Sequence, residues 1–499
     1  MNLKKIALLT AAVLLLLALA GCQEAPVPTT DPVPSTTAAP APVEQLKIVV
    51  TEENISQLAE YPYLKELDLS GSTCYAAIAE YIAANPQVKV TYTVELGAVT
   101  AEHTATELEI KPNTCNYLVL RENLAYLPQV ETVDLGKTDY APEEIAALRS
   151  AYPEIAWHYT MIYQGQELTN ETVQVDFSAL EATQLEDAAL RLSLFPNITQ
   201  VELMNAHGQS KLTVEQVKIL VDGAPNARFH YVFKLFGKTV STTDERIEFV
   251  KEDIGNEGEA EIRAALDILQ GCTYFKLDDC GLDNEVLAKI REDYPNTEVV
   301  WRIHVWSRSW LTDTDTIRAV YHVDDNNCEP FKYCTKTKYI DMGHNETLTD
   351  ISFISYMPDL EIVILSGSPI SDLTPFENAK KLIFLELAWC GHLEDISPLA
   401  GCTALENLNL SYAKKVKDLS ALNELPLKQL MFVGSRVSSS VQKEQMENHP
   451  DCWVTFSGNA CYGKGWRYKQ SGAYTEIYQR VRDVFQLDEV DKLIAAGAK

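Results

Sequence analysis

The sequence predicts an α/β solenoid: a mostly parallel sheet built by stacking copies of a short unit. Two observations carry this. Near the C-terminus Leu360, Leu382, Leu405 and Leu427 lie 22, 23 and 22 residues apart, and Asp350, Asp372, Asp395 and Asp418 keep a matching beat. Upstream, apolar-x-Leu strands recur at Leu67-Asp68-Leu69, Val133-Asp134-Leu135, Val201-Glu202-Leu203 and Phe275-Lys276-Leu277, spaced 66, 68 and 74 residues apart. Each is followed by a helical pattern that stops at a proline, Pro86, Pro153, Pro225 or Pro295. Alternation along a strand turns its leucines to one side. Units too small to bury those leucines alone must stack on their neighbours. Strands alternating with helices of about ten residues imply a mostly parallel sheet.

The short units share the frame L-x-x-L-x-L: Leu382-x-x-Leu385-x-Leu387, Leu405-x-x-Leu408-x-Leu410 and Leu427-x-x-Leu430-x-Phe432. Each closes with a return such as Asp372-Leu373-Thr374-Pro375-Phe376 or Asp395-Ile396-Ser397-Pro398-Leu399. Proline near its start suits a turn or a short 3₁₀ segment. A period of about 20–29 residues with this frame is the leucine-rich-repeat signature. Over 338–433 it resembles the 22-residue repeat of bacterial internalin-type surface proteins. The resemblance implies a leucine-rich-repeat solenoid displayed outside the cell and used for binding. It transfers no residue-specific contact.

Residues 1–21 read as an export signal, with Lys4 and Lys5 ahead of the apolar run 6–20. Leu19-Ala20-Gly21-Cys22 resembles the lipobox of bacterial lipoproteins, which implies a lipidated Cys22 and anchorage to the outer face of the membrane. Acylation by more than one chain would make that attachment lasting. Residues 22–45 carry Pro26, Pro28, Pro32, Pro34, Pro40 and Pro42 and no glycine after Cys22. They are expected to form an extended stalk of up to roughly 70 Å. Residues 46–335 read as irregular long repeat-like blocks, each a strand–helix–strand–strand–helix variant of the solenoid. Residues 336–456 are the internalin-like repeats, and 457–499, with Trp466 and the aromatic stretch 474–485, are a terminal cap.

Net charge is −29, or −31 once Lys4 and Lys5 leave with the signal. Nucleic acid is a poor partner for such a chain. Basic proteins or peptides remain open.

Eleven cysteines in an exported chain suggest disulfides. Cys452 and Cys461 are the expected pair, with Cys328 and Cys334 next. Cys280 and Cys390 have a structural reading, because they take the repeat position that Asn345 also takes, three residues after the strand's last apolar residue. There is no C-x-x-C, no His-Glu-x-x-His and no Gly-x-Ser-x-Gly. Gly458-x₄-Gly463-Lys464 imitates a phosphate loop but continues with Gly465 where Ser or Thr should stand. Asp313-Thr314-Asp315 and Asp324-Asp325-Asn326-Asn327 match no calcium loop. No enzyme, metal or cofactor is expected.

The outward residue of successive strands reads Asp68, Asp134, Glu202, Lys276, Asp341, Ile364, Glu386, Asn409, Met431. Five of the nine are acidic, where 71 acids in 499 residues would give between one and two. The expectation is an acidic band on the concave face that shades into an apolar end of Ile362, Ile364, Phe384 and Met431. Such a face suits a basic, hydrophobic-tipped protein or peptide. The alternative is a module for envelope glycan, peptidoglycan or a solute, which would call for aromatic platforms; on that row only Tyr339 and Phe384 qualify.

Overall fold

The computed structural model describes residues 42–458, 463 and 465–495, in two compact units, the first up to Glu95 with Thr100–His103 and the second Leu96–Val99 with Thr104 onward. The signal, Cys22 and most of the proline-rich stalk lie outside the described residues.

In the first unit β1 (Gln45–Lys47), β2 (Glu66–Asp68) and β3 (Lys89–Thr91) pair in parallel, with Leu46, Leu67 and Val90 in register. Helix α1 (Tyr75–Ala84) joins β2 to β3, and β4 (Thr93–Leu96) and β5 (Val99–Glu102) pair with each other.

The second unit repeats this plan three times. Its first block holds β6 (Glu107–Glu109), α2 (Tyr117–Asn123), β7 (Thr132–Lys137), α3 (Pro142–Ala151), β8 (Ala156–Tyr163) and β9 (Gln166–Leu168). The next holds β10 (Gln174–Asp176), α4 (Leu185–Leu194), β11 (Gln200–Glu202), α5 (Val214–Gly223), β12 (Arg228–His230), β13 (Val232–Leu235) and β14 (Lys238–Ser241). The third holds β15 (Arg246–Val250), α6 (Glu259–Ile268), β16 (Tyr274–Asp278), α7 (Asn284–Asp293), β17 (Glu298–Val305) and β18 (Arg308–Leu311).

Strand spacing revises the reading of these blocks. Successive parallel strands within a block start 21 to 28 residues apart, the length of a single repeat. From each block's third strand to the first strand of the next the interval is 18 residues in all four cases. Each block is therefore three coils, and the third returns through an antiparallel hairpin instead of a helix. Gln164-Gly165 and Phe236-Gly237 turn two of these hairpins with positive φ at both residues, the two-residue turn that matches strand twist.

At the junctions a hairpin side chain reaches the next block's first strand. The Gln166 amide donates to the Asp176 carbonyl at 2.6 Å and accepts from its N–H at 2.9 Å, in the manner of a backbone rung. Lys238 and Arg308 reach the Glu248 and Arg318 carbonyls at 2.8 and 3.0 Å.

The short repeats form one seven-stranded parallel sheet: β19 (Thr316–Arg318), β20 (Tyr339–Asp341), β21 (Ile362–Ile364), β22 (Phe384–Glu386), β23 (Asn407–Asn409), β24 (Gln429–Met431) and β25 (Trp453–Thr455). It begins before residue 336, because β19 already pairs with β20. Val363, Leu385, Leu408 and Leu430 are in register and fully buried, as are Leu360, Leu382 and Leu405. The aspartate beat has a local cause. Asp350, Asp372, Asp395 and Asp418 each accept the N–H two residues on, at 2.8–2.9 Å, where the returning 3₁₀ segment starts.

Buried Asn345 donates to the Ala319 and Met342 carbonyls and accepts the Val323 N–H, which ties two coils together. At the equivalent place the buried Cys390 thiol donates to the Leu365 carbonyl, and Cys280 to that of Asp278. Cys328 and Cys334 do not form the second expected bridge; both are buried free thiols turned toward carbonyls of neighbouring coils. Cys461, and with it the expected bridge to Cys452, lies outside the described residues. After β24 come α8 (Ser439–Asn448), then α9 (Glu476–Val484) and α10 (Leu487–Ala495) beyond β25. No described helix is long and apolar enough to cross a membrane.

Candidate functional site: the outer face of the short-repeat sheet

In each strand of this sheet the middle residue enters the core, so its two neighbours face outward. On β21–β24 those positions are buried all the same, with Ile364 half-buried. The cover is the chain's own C-terminal segment.

Trp466 is fully buried against Phe384, ring centroids 4.8 Å apart, and its indole N–H donates to the Glu386 carboxylate. Glu386 also accepts the Ser366 hydroxyl at 2.9 Å. Thr475 caps α9, accepting the Tyr478 N–H, and its hydroxyl donates to the Trp466 carbonyl at 3.0 Å. Tyr478, Val481 and Phe485, three and four residues apart, make one apolar stripe that packs with Ile362, Phe384, Met431 and Val433. Arg480 pairs with Glu361 at the rim, and the Arg467 guanidinium lies 5.1 Å over the Tyr478 ring. Beside α9 a groove of about 470 Å³ stays open, lined by residues that include Ile383, Asn407, Trp453, Ile477 and Arg480.

Burial pushes the Glu386 carboxyl above its ordinary value, against the pull of Arg467 and the Trp466 and Ser366 hydrogen bonds. Burial likewise raises Asp341, with Arg318 opposing. Desolvation raises the Tyr478 phenol too.

The expected apolar end is thus not open. Ile362, Phe384, Glu386 and Met431 hold the tail, and Ile364 packs at the edge of the same cluster. The expected acidic band is also largely taken up by partners on neighbouring strands. Asp68 pairs with its register partner Lys47 at 2.7 Å, which holds its carboxyl down at about 2. Glu202 hydrogen-bonds the imidazole of its register partner His230 at 2.8 Å, and Asp341 pairs with its register partner Arg318 at 3.2 Å. Asp134 faces solvent beside His158.

The row owes its acids to turn chemistry. Asp68, Asp134, Glu202 and Asp341 each accept the N–H of the residue two ahead, Ser70, Gly136, Met204 and Gly343, where the strand ends or, for Asp134, where β7 shifts register. Asn409 does the same for Ser411 without a charge. The docked tail escaped the sequence reading. Its amphipathic spacing was legible, but nothing in the sequence names the surface a stripe will cover. Among the described residues no three His, Cys, Asp or Glu side chains converge as a metal site.

No protein-family model matches the chain, and no curated protein matches it either. Among solved structures, internalin C2 of Listeria monocytogenes is similar at 18% identity over 30% of this chain and 76% of its own, TM-score 0.22. An internalin F of the same organism gives 12% over 72% and 85%, TM-score 0.23. A leucine-rich-repeat protein of Leptospira interrogans gives 13% over 82% and 93%, TM-score 0.24. At such scores the fold assignment stands on the strand registers alone.

Proposed function

We propose that this chain is a non-catalytic, membrane-anchored surface lipoprotein that binds a protein or peptide along the outer face of its leucine-rich-repeat sheets. The observation that carries the reading is the tail. An aromatic, amphipathic segment of the chain itself lies on that face, held by an anchoring indole, an apolar helix stripe and a rim ion pair. Those are the parts from which peptide and protein interfaces are built. Repeat scaffolds offer long surfaces of this kind. In the upstream sheets Asp134 is exposed and Glu202 half-buried at outward positions, and both would meet the partner. The signal-like 1–21, Cys22 and the proline-rich stalk support display from the membrane.

A photo-crosslinking residue placed at Asp134 or Glu202 of the displayed protein tests this. Adducts to a polypeptide are expected there and not from Glu143 or Glu186 on the helical side. Equal labelling from both sides, or adducts to glycan alone, would refute it. Mass spectrometry of the mature N-terminus tests the anchor, since an unmodified Cys22 is incompatible with it.

A further inference from the structure

Beyond each strand of the seven-stranded sheet the chain turns through a residue of positive φ. Tyr321, His344, Gly367, Trp389, Tyr412 and Gly434 hold this one repeat position on six consecutive coils, with φ of 74, 59, 81, 60, 64 and 69°. The turn has a backbone cause. The N–H groups of His344, Gly367, Trp389 and Tyr412 donate to the Ser366, Ala388, Ser411 and Val433 carbonyls at 2.7–2.8 Å, extending the ladder past the strands. That accounts for the φ but not for the side chains. Glycine fits such a backbone freely, whereas Trp and Tyr are strained in it.

The order is aromatic, aromatic, glycine, twice over. Tyr321 stacks on His344 with centroids 5.2 Å apart, and Trp389 on Tyr412 at 5.1 Å and 8°. The glycine that closes each triplet makes room for the ring before it. A Cβ at Gly434 would stand 2.6 Å from the Tyr412 ring, and one at Gly367 3.1 Å from the His344 ring. The leading rings are open to solvent, Tyr321 at 66% and Trp389 at 39%.

A second observation separates the triplets. The turns after Trp389, Tyr412 and Gly434 bring exposed His392, Lys414, Lys415 and Arg436 onto adjacent coils. Lys414, Lys415 and Arg436 make no ion pair among the described residues, whereas Lys381 and Lys428 of the same sheet pair with Asp359 and Glu406. The first triplet carries Glu346 where the second has Lys414. In a chain of net charge −29 this is a local cationic patch beside the exposed Trp389 ring and the half-buried Tyr412 ring parallel to it.

We propose that this edge, Trp389–Tyr412 with Lys414, Lys415 and Arg436, binds an acidic polysaccharide. A flat C–H face of a sugar ring would lie on the open face of Trp389, which Tyr412 backs, and its carboxylates on the three bases. A peptide adding as a strand would need free backbone donors, and the N–H groups of Trp389 and Tyr412 are already committed. A ring met face-on, with cations beside it, suits a ligand that carries ring faces and negative charge in one repeating unit. Tyr412 packs at the edge of the tail cluster, so this site borders the outer sheet face, but it does not rest on the protein-binding reading.

The test is affinity of the full mature chain for polygalacturonate, alginate and hyaluronan. A neutral polysaccharide and poly-L-glutamate serve as controls. Binding to at least one acidic polysaccharide is expected, at least about tenfold tighter than to either control. Trp389→Gly should weaken it by about tenfold. Because φ at 389 is +60°, that change relieves backbone strain and leaves the thermal transition in place or higher. Lys414→Glu with Lys415→Glu should abolish binding. Failure of all three polymers to bind, equal binding of poly-L-glutamate, or an unchanged affinity in Trp389→Gly would each overturn the proposal.

Discussion

The Trp466 indole donates its N–H to the Glu386 carboxylate across 80 residues of chain. The bond has a buried acid at one end and a fully buried indole at the other; when the tail undocks the indole loses this partner and the acid keeps only the Ser366 hydroxyl. An acid that would otherwise face outward is thereby turned into part of a second, smaller core laid on the sheet.

Removing the indole should release the tail before it unfolds the sheet. Trp466→Ala is expected to cost docking about 3–5 kcal/mol, the usual range for losing a buried Trp. The check is amide exchange, which should rise over α9 while β21–β24 stay protected. Equal loss in both would make the tail an inseparable part of the repeat core.

The pH dependence of docking has a definite sign. Folded-state values of Glu386 and Asp341 are raised, so their contribution is fully present below the ordinary values of 4.5 and 3.8 and is lost as pH rises through the raised ones. Corrected for intrinsic rates, α9 amides should be better protected at acid than at alkaline pH. Protection that grows with pH would show that the rim ion pair, not the buried acids, dominates.

Asp68 should behave oppositely. Its carboxyl is held at about 2 by the Lys47 hydrogen bond, so its contribution exists above the ordinary 3.8 and disappears as pH falls through about 2. Lys47→Met should move the Asp68 titration, followed by NMR, back toward the ordinary value; an unmoved titration would mean the Ser70 contact alone sets it.

Asn345→Ala strands the Val323 N–H and the Ala319 and Met342 carbonyls inside the coil. A loss of about 2–3 kcal/mol is expected in denaturant unfolding, from buried groups left unpaired. Gln166→Ala breaks two bonds to Asp176, but these are exposed and water replaces them. That cost should stay near about 1 kcal/mol, with faster exchange confined to β10. A larger loss for Gln166→Ala than for Asn345→Ala would reverse the ranking.

The register of the solenoid was legible because a strand's inward residue is fixed by period two and a coil's length by stacking. Leu385, Leu408 and Leu430 needed no further information. The strands around Leu67, Val133, Val201 and Phe275 were legible for the same reason. Their grouping was not, because the hairpin that shortens every third coil simply prolongs that coil's strand, as β8 does to Tyr163, and only the turn after it marks the reversal. The x-Gly pairs at 164–165 and 236–237 were the available signal. The outward acids were visible but not their purpose, because an acid that caps a turn and one that greets a partner have the same spacing. Which stripe covers which face, as with Tyr478 and Val481 on Phe384, is a long-range matter that local periodicity does not encode.

Hydroxyl-radical footprinting of the intact chain tests the central claim most directly, since it reads side-chain exposure. Met431, Phe384 and Trp466 should oxidise far more slowly than Met446 and Trp306, which are 56% and 63% exposed. Met431 and Trp466 oxidised as fast as those two would mean the sheet face is bare and the tail lies elsewhere.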